Sequence, residues 1–285
     1  MKRSILLFFL CSLWGPCFAQ TEIFVGFMTP SQKGVCLGKK LQIEYYFIYG
    51  VKEWIHRSGL DPLAPLTNGT AKIAAELGKV TPNLRTHPPI DFTLGGSARG
   101  TVSYKAQQAG YEKITVTVQI GNDVGKASFE FQVKRCNYKA TWTTVRHLKF
   151  GKEIILNVQS GDADFTQNDS GTIEGKGREY FQTNIVETGE PGVVETKNRQ
   201  GEGGFTGQGT TSEDGQVNID LSLDSYPVSE SVLTAPGGGG GAPGYTTRAG
   251  TGKISFPAGE GGVYQLEINR SRPYTQAVTI IPRSE

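Results

Sequence analysis

Apolar and polar residues alternate with a period of two through most of this chain, which is the pattern of β-strands with one buried face. Apolar residues occupy every second position in residues 114–120, 127–133 and 217–223. The first two runs are separated by Gly-Asn-Asp-Val-Gly at residues 121–125, which is typical of a hairpin turn. The pattern predicts an all-β protein built from antiparallel sheets.

One short segment favours a helix instead. Thr70 can cap a helix, the three alanines within residues 71–75 favour it, and Gly78 can end it. We therefore expect at most one short helix, near residues 70–78.

Residues 1–19 have the composition of a secretory signal peptide. Lys2 and Arg3 precede an apolar run at residues 5–13, and the segment ends in Cys-Phe-Ala, which suits a signal peptidase. We expect cleavage before Gln20 and export to the periplasm or the extracellular space of a bacterium. No later stretch approaches the ~18 apolar residues of a membrane helix, so we expect no transmembrane segment.

Cys36 and Cys136 are the two cysteines that lie beyond the signal peptide. In an oxidising compartment they most simply pair with each other, and the alternative is two unrelated free thiols. A bridge that closes a loop of about 100 residues contributes up to about 4–5 kcal/mol in the chain-entropy model. Because Cys136 ends the hairpin described above, the bridge predicts a first β-sandwich domain over residues 20–136.

Glycine marks the second half of the chain, since residues 137–285 hold 24 of the 38 glycines. Seven short strand-like segments without a helical period predict a second antiparallel unit, a sandwich or a barrel, and we take a sandwich as the expectation. Residues 189–215 and 236–244, the latter containing a run of glycines, are typical of flexible loops. The predicted fold is therefore two β-sandwich domains.

The charge balance argues against nucleic acid as a partner. Without Lys2 and Arg3 the chain has 27 basic residues, which equals its 27 acidic residues. Proteins that bind nucleic acid normally have a basic excess gathered on one face.

Sequence signatures of catalysis are not found. Gly-Gly-Ser-Ala at residues 95–98 continues with Arg99, where a nucleophile elbow needs glycine. None of His56, His87 and His147 has a second ligand at the spacing of a metal site. We therefore expect a protein that is not an enzyme.

An acidic stretch is the best candidate for metal chemistry. Asp162, Asp164, Asn168 and Asp169 supply the oxygen ligands that calcium prefers, although the spacing is not that of an EF-hand. The same residue types also form ordinary polar turns. A glycosidase-type pair of carboxylates, such as Asp162 with Glu174, is a further interpretation.

Aromatic residues give a second binding hypothesis. Tyr46 lies on the face of its strand opposite the expected core, and Trp54 follows shortly after. Exposed aromatic rings on a sheet can stack on sugar rings or anchor a protein partner. The competing interpretation is that a loop or helix covers these rings.

A further pattern covers residues 90–136. Tyr104, Gly110 and Tyr111 precede the two alternating strands, and residues 91–96 contain Asp-Phe followed by Gly-Gly. This arrangement resembles the last strands of bacterial immunoglobulin-like (Ig-like) domains, in particular the polycystic-kidney-disease (PKD) type. The resemblance implies a β-sandwich and a family of extracellular spacers or binding modules.

Together these features predict a secreted or periplasmic binding or structural module. Its expected role is surface adhesion or scaffolding, through contact with a polysaccharide or an envelope protein. The alternative is a secreted carbohydrate-active hydrolase, or its calcium-stabilised accessory module.

Overall fold

The computed structural model describes residues 21–29, 34–51, 67–90, 98–189, 193–270 and 273–284. Every regular element within these ranges is a β-strand, so the predicted all-β class is confirmed. A helix able to cross a membrane is absent from the described ranges. The predicted signal peptide and residues 91–97 of the Ig-like resemblance lie outside them.

The first unit consists of two sheets that face each other across one hydrophobic core. The sheet orders are β1-β3-β7-β5 and β2-β9-β8-β4-β6, where the strands are β1 (Thr21–Phe27), β2 (Val35–Cys36), β3 (Lys40–Val51), β4 (Thr67–Ala75), β5 (Gly78–Thr81), β6 (Leu84–Ile90), β7 (Ala98–Ala106), β8 (Gly110–Ile120) and β9 (Asp123–Lys134). Ile43 and Phe47 from one sheet share the core with Val116 and Val118 from the other, and all four are fully buried. We call this part the two-sheet unit.

The predicted hairpin is β8–β9. Ile120 pairs with Asp123 across a tight turn, and Gly121 in that turn has a φ of +59°, which favours glycine. Ile114 on β8 and Phe131 on β9 are buried, as the alternation predicts.

The predicted helix near residues 70–78 is wrong, because this segment is β4 and the start of β5. β4 pairs antiparallel with both β6 and β8. Ala71 and Ile73 face the core and are buried. The backbone hydrogen bonds and the burial available between two strands outweigh the weak helix preference of a short alanine-rich segment.

The second unit is a closed barrel, not the sandwich that we expected. Its strands are β10 (Cys136–Phe150), β11 (Glu153–Gln167), β12 (Ile173–Thr188), β13 (Val194–Thr211), β14 (Gln216–Leu223), β15 (Pro227–Ala235), β16 (Gly239–Thr246), β17 (Gly250–Pro257), β18 (Gly262–Asn269) and β19 (Pro273–Ser284). Eight of them close into a ring in the order β10-β11-β12-β13-β14-β17-β18-β19, because β12 pairs with β13 as well as with β11. Closure satisfies strand edges that would otherwise be exposed.

Four long strands extend beyond the closed ring. β10, β11, β12 and β13 continue past it, and β15 and β16 add to the side of β13. We call the result the open sheet, with the order β10-β11-β12-β13-β15-β16. Its inner face continues the inner face of the barrel, because side chains alternate without interruption along each strand.

The two segments predicted as flexible loops, 189–215 and 236–244, contain strands instead. β13 covers most of the first segment, and β16 begins within the second. A Cβ on Gly203 would lie 2.1 Å from the ring of Tyr226, and one on Gly207 would lie 2.6 Å from the ring of Phe165. Glycine therefore occupies these positions because aromatic rings from elsewhere fill the space of its side chain.

The predicted Cys36–Cys136 disulfide is present, but it joins the two units rather than closing the first. Cys36 lies in β2 of the two-sheet unit, whereas Cys136 is the first residue of β10 and belongs to the barrel core. The amide of Gln167 donates to the carbonyl of Leu37 at the same junction, over 3.2 Å. The two-sheet unit is therefore attached to one end of the barrel.

Candidate binding site at the barrel mouth

The barrel opens at the end opposite the two-sheet unit. There β10 separates from β19 after Thr141, and β13 changes its partner from β14 to β15. A cavity of about 240 Å³ lies at this opening, which we call the mouth. Its aromatic lining consists of Trp142, Tyr180, Phe181, Tyr226, Tyr245 and Tyr274. The mouth of a β-barrel is a common place for a ligand site.

Glycines on neighbouring strands position two of these rings. Trp142 packs against Gly161 of β11, where an added Cβ would lie 2.1 Å from the indole. Tyr226 packs against Gly203 of β13 in the same way. A side chain at either glycine would collide with the ring that now lies against it. The absence of a Cβ at these two positions therefore allows both rings to pack at the mouth.

A buried ion pair forms the polar part of the mouth. Arg270 donates a hydrogen bond from Nη2 to Oε1 of Glu179, and the two side chains are only 11% and 9% exposed. The guanidinium group also donates to the carbonyl of Arg248 and lies 5.3 Å from the ring centre of Tyr226. Each buried charge is thereby paired and hydrogen-bonded, as burial requires.

Burial shifts the titration of the groups around this pair. It raises the pKa of Glu179 above its ordinary value, against the opposing effect of Arg270. Burial also raises the pKa of Tyr226 and Tyr274, and the nearby charge of Glu179 acts in the same direction. Both tyrosines therefore keep their hydroxyl hydrogen at neutral pH and remain hydrogen-bond donors.

Gln276 presents a buried amide at the mouth. The residue is 5% exposed and lines the cavity. Its Oε1 accepts a long hydrogen bond of 3.5 Å from Thr144, but its Nε2 has no partner among the described residues. A buried donor without a partner costs about 1–3 kcal/mol, and a ligand oxygen placed in the cavity would remove this cost.

The inner face of the open sheet continues this polar lining. Asn157 of β11 pairs in register with Thr183 of β12, which pairs with Arg199 of β13. Oδ1 of Asn157 and Oγ1 of Thr183 are buried without a partner among the described residues. Nε of Arg199 donates to Glu230 over 2.5 Å, and its guanidinium group lies 6.0 Å from the ring centre of Tyr245. Unused hydrogen-bonding capacity thus extends from the mouth onto the open sheet.

A larger depression of about 780 Å³ lies on the outer surface of the barrel, but it is a weaker candidate. Lys253, which lines it, is paired in register with Asp220 on one side and Glu267 on the other. None of the buried, unpartnered polar atoms of the described residues lines this depression. Its one lysine is flanked by carboxylates on both sides, and among the described residues its lining has no buried polar atom that lacks a partner, so the mouth is the stronger candidate.

Of the two aromatic residues singled out in the sequence, only Tyr46 is described. Tyr46 lies on β3 in the two-sheet unit, where its ring packs against Gly26 and lies 6.1 Å from the ring of Phe24. It is therefore on the other unit from the mouth. Trp54 lies outside the described residues.

The two aspartates of the predicted calcium stretch face basic residues. Asp162 and Asp164 lie on the outer face of β11 and are paired in register with Arg178 and Lys176 of β12. Oδ1 of Asp164 also lies 3.7 Å from the guanidinium group of Arg283. The two carboxylates are therefore spaced along the outer face of β11, each beside a basic side chain, and do not converge on a common point.

The other two residues of that stretch form a turn. Oδ1 of Asn168 accepts hydrogen bonds from the backbone N–H of Ser170 and Thr172, at 3.1 and 2.9 Å. Asp169 lies 3.7 Å from Arg135. Among the described residues no three His, Cys, Asp or Glu side chains are placed to hold a metal ion.

The suggested glycosidase pair is not assembled either. Asp162 lies opposite Arg178, whereas Glu174 lies opposite Thr166, farther along the same hairpin. Both carboxylates lie on the outer face of the barrel wall, four residues apart along the register, and neither lines the cavity at the mouth.

The residues of the mouth carry little signal in the sequence. Glu179 and Gln276 are single polar residues at inward positions of strands, and they meet only through the closure of the barrel. The one local hint is Gly201 and Gly203, two glycines at inward positions of β13 that make room for Tyr226.

No protein-family model and no curated protein matches the chain. Among the solved structures that align with it, two illustrate the low level of similarity. One is a protein of unknown function from Bacteroides ovatus, with 10% identity, a TM-score of 0.25, and coverage of 92% of this chain and 95% of the other. The second is trypsin-activated alpha-2-macroglobulin from Escherichia coli, with 12% identity, a TM-score of 0.25, and coverage of 93% of this chain and 23% of the other. Similarity of this degree assigns neither a family nor a function to this chain.

Proposed function

We propose that this chain is an exported binding module with a role in adhesion or scaffolding, and that it holds a glycan at the barrel mouth. The disulfide is compatible with an oxidising compartment outside the cytoplasm. The mouth offers a small concave site with an aromatic lining and a few polar groups, which is the usual composition of a ligand pocket.

The chemistry of the mouth matches that of a sugar ring. A sugar presents C–H groups on its faces and hydroxyl groups around its edge, so it can use both kinds of partner. Tyr226, Tyr245 and Tyr274 supply rings, while Glu179, Arg270 and Gln276 supply acceptors and donors. The volume of about 240 Å³ lies below the ~300–1,000 Å³ of drug-sized sites and suits a single ring.

The unpartnered Nε2 of Gln276 is the observation that carries this proposal. A donor buried in a lined cavity is costly unless something in the cavity accepts its hydrogen. A glycan hydroxyl oxygen is such an acceptor.

Two tyrosine variants test the proposal. Tyr245 is 43% exposed at the mouth, and Tyr111 is 79% exposed on the two-sheet unit. We expect Tyr245→Ala to weaken binding of the glycan that a polysaccharide panel identifies by about ten-fold, which is ~1.4 kcal/mol, whereas Tyr111→Ala leaves it unchanged. Isothermal titration calorimetry measures both. If both variants bind like the natural protein, the mouth is not the glycan site.

Hydrolysis of the bound glycan is the competing function. Burial raises the pKa of Glu179, and Asp224 adds to this, which is the direction that a general acid needs. Arg270 opposes this rise in the pKa of Glu179, because it donates a hydrogen bond directly to the carboxylate and so favours the charged form. Release of reducing sugar from the same panel, abolished by Glu179→Gln, would replace the binding role with a hydrolytic one.

A further inference from the structure

The open sheet has a free backbone edge along β10. This strand pairs with β19 from Cys136 to Thr141, and with β11 on its other side from Tyr138 onwards. From Trp142 to Phe150 it pairs with β11 alone among the described residues. Backbone N–H and C=O groups on this second stretch therefore point to an edge that a further strand can occupy.

Exposed apolar side chains accompany this edge on both faces of the sheet. Val145 is 61% exposed on the outer face, and Leu148 and Phe150 are 42% and 60% exposed on the inner face. Ile154 and Leu156 of β11, at 41% and 37%, extend the outer patch. A long apolar edge of this kind pairs readily with another chain, so native proteins normally cover or protect it.

The charge of the edge indicates the chemistry of its partner. Arg146, His147 and Lys149 lie within this stretch, and no acidic residue occurs between Cys136 and Phe150. None of the three side chains forms an ion pair with a described residue. Opposite charges across paired strands stabilise the pair, and like charges oppose it.

A second copy of the chain suits this edge poorly. Pairing β10 with β10 of another copy would place basic side chains together. The other edge of the open sheet is β16, which contains no charged residue. The complementary strand is therefore expected from a different protein.

We propose that the edge of β10 from Trp142 to Phe150 binds an extended segment of a partner protein by strand addition, and that this segment alternates acidic with apolar residues. Main-chain hydrogen bonds supply the affinity in such complexes, and side chains supply the selectivity. The edge begins at Trp142, which also lines the mouth, and runs from there to Phe150. The proposed protein site therefore adjoins the proposed glycan site.

Two synthetic peptides test the proposal on the full chain. Each is about nine residues long, a typical strand length, and alternates valine with glutamate in one peptide and with lysine in the other. We expect the glutamate peptide to bind at least ~10-fold more tightly than the lysine peptide, measured by fluorescence anisotropy up to about 1 mM. We also expect it to slow amide hydrogen exchange between Trp142 and Phe150 but not in β16.

A charge-reversal pair provides the matched control. His147→Glu with Lys149→Glu changes the edge on the outer face, away from the mouth, and is expected to reverse the peptide preference. Lys72→Glu with Lys126→Glu makes two changes at exposed sites of the two-sheet unit and is expected to leave the preference as it was.

Several results would overturn the proposal. They are no binding of either peptide, binding without protection of β10, and equal binding of both peptides. Protection of β10 that depends on protein concentration alone would identify a second copy as the occupant. Binding to phosphatidylglycerol vesicles in place of the peptide would identify a lipid surface.

Discussion

Gln276 holds a hydrogen-bond donor inside the barrel without an acceptor among the described residues. A buried donor without an acceptor lowers the stability of the folded protein. If the mouth binds a glycan as proposed, the same donor contributes to binding, and the two effects can be measured separately.

Replacing Gln276 with leucine separates the two effects. We expect Gln276→Leu to increase the free energy of unfolding by about 1 kcal/mol, because the unsatisfied amide is removed and the shape is roughly kept. The same variant is expected to weaken glycan binding. Urea denaturation and calorimetry measure the two quantities. Gln208→Leu, on the exposed outer face of β13, is the control and should change neither; a less stable Gln276→Leu protein would contradict the expectation.

His87 is expected to make the stability of the two-sheet unit depend on pH. The residue is 8% exposed, and its Nε2 lies 3.0 Å from the hydroxyl of Tyr45, which can donate only to an unprotonated nitrogen. Burial lowers the pKa of His87 below 6.5, and Arg85 acts in the same direction. Below pH 6.5 the unfolded chain therefore binds more protons than the folded chain, so the free energy of unfolding falls as the pH falls.

The test of this pH dependence compares two proteins. Denaturation of the natural protein and of His87→Gln is followed between about pH 7.5 and pH 5.5, the range in which histidine titrates. We expect the loss of stability on acidification to be smaller in the variant. Equal losses in both proteins would assign the pH dependence to other groups.

The effect of replacing a glycine within a strand depends on what a new Cβ would contact. A Cβ on Gly203 of β13 would lie 2.1 Å from the ring of Tyr226, whereas a Cβ on Gly240 of β16 would meet nothing within 4 Å. We expect Gly203→Ala to lower the free energy of unfolding by about 1–3 kcal/mol through overpacking. Gly240→Ala should be neutral or stabilise the protein by up to about 1 kcal/mol. Thermal and urea unfolding check both, and equal effects would contradict the packing role of Gly203.

The same contrast explains which strands could be predicted. In β14 the inward residues Val217, Ile219, Leu221 and Leu223 are all buried, and their alternation is visible in the sequence. In β13 several inward positions are glycines. Its residues still point alternately inward and outward, but the sequence no longer alternates between apolar and polar residues. The rings that fill those positions come from distant segments, and a local pattern cannot contain them.

At the scale of the whole molecule, the two units meet through covalent and ionic contacts. The disulfide spans the junction, and Glu213 lies 3.7 Å from Lys79 and 3.9 Å from Lys105 of the two-sheet unit. The ion pairs are exposed on the Glu213 side and contribute little by themselves. The bridge is therefore a second covalent link between the units, beside the chain itself, which passes from the end of β9 at Lys134 to the start of β10 at Cys136.

Removing the bridge tests this role. The two cysteines are 100 residues apart, and the chain-entropy model assigns up to about 4–5 kcal/mol to a loop of that length. We expect Cys36→Ala with Cys136→Ala to lower the melting temperature and to divide unfolding into two calorimetric transitions, one for each unit. Chemical reduction of the natural protein should reproduce this. A single transition at the original temperature would show that the bridge does not couple the units.

The pairing of the cysteines could be predicted because only two lie beyond the expected signal peptide. The closure of the barrel and the mouth could not, since both depend on which long strands become neighbours. Glu179, Arg270 and Gln276 come from separate strands and turns, and no spacing in the chain relates them. Catalytic or binding groups that a barrel assembles in this way become visible only once its strand order is known.

The mouth and the junction occupy opposite ends of the barrel. Immobilising the molecule on a bead through its two-sheet unit would make the mouth of every barrel face the solution. Coupling it through the barrel wall would instead leave many mouths facing sideways or towards the bead. Capture capacity on a solid support should therefore depend on the point of attachment, even when the number of immobilised molecules is the same.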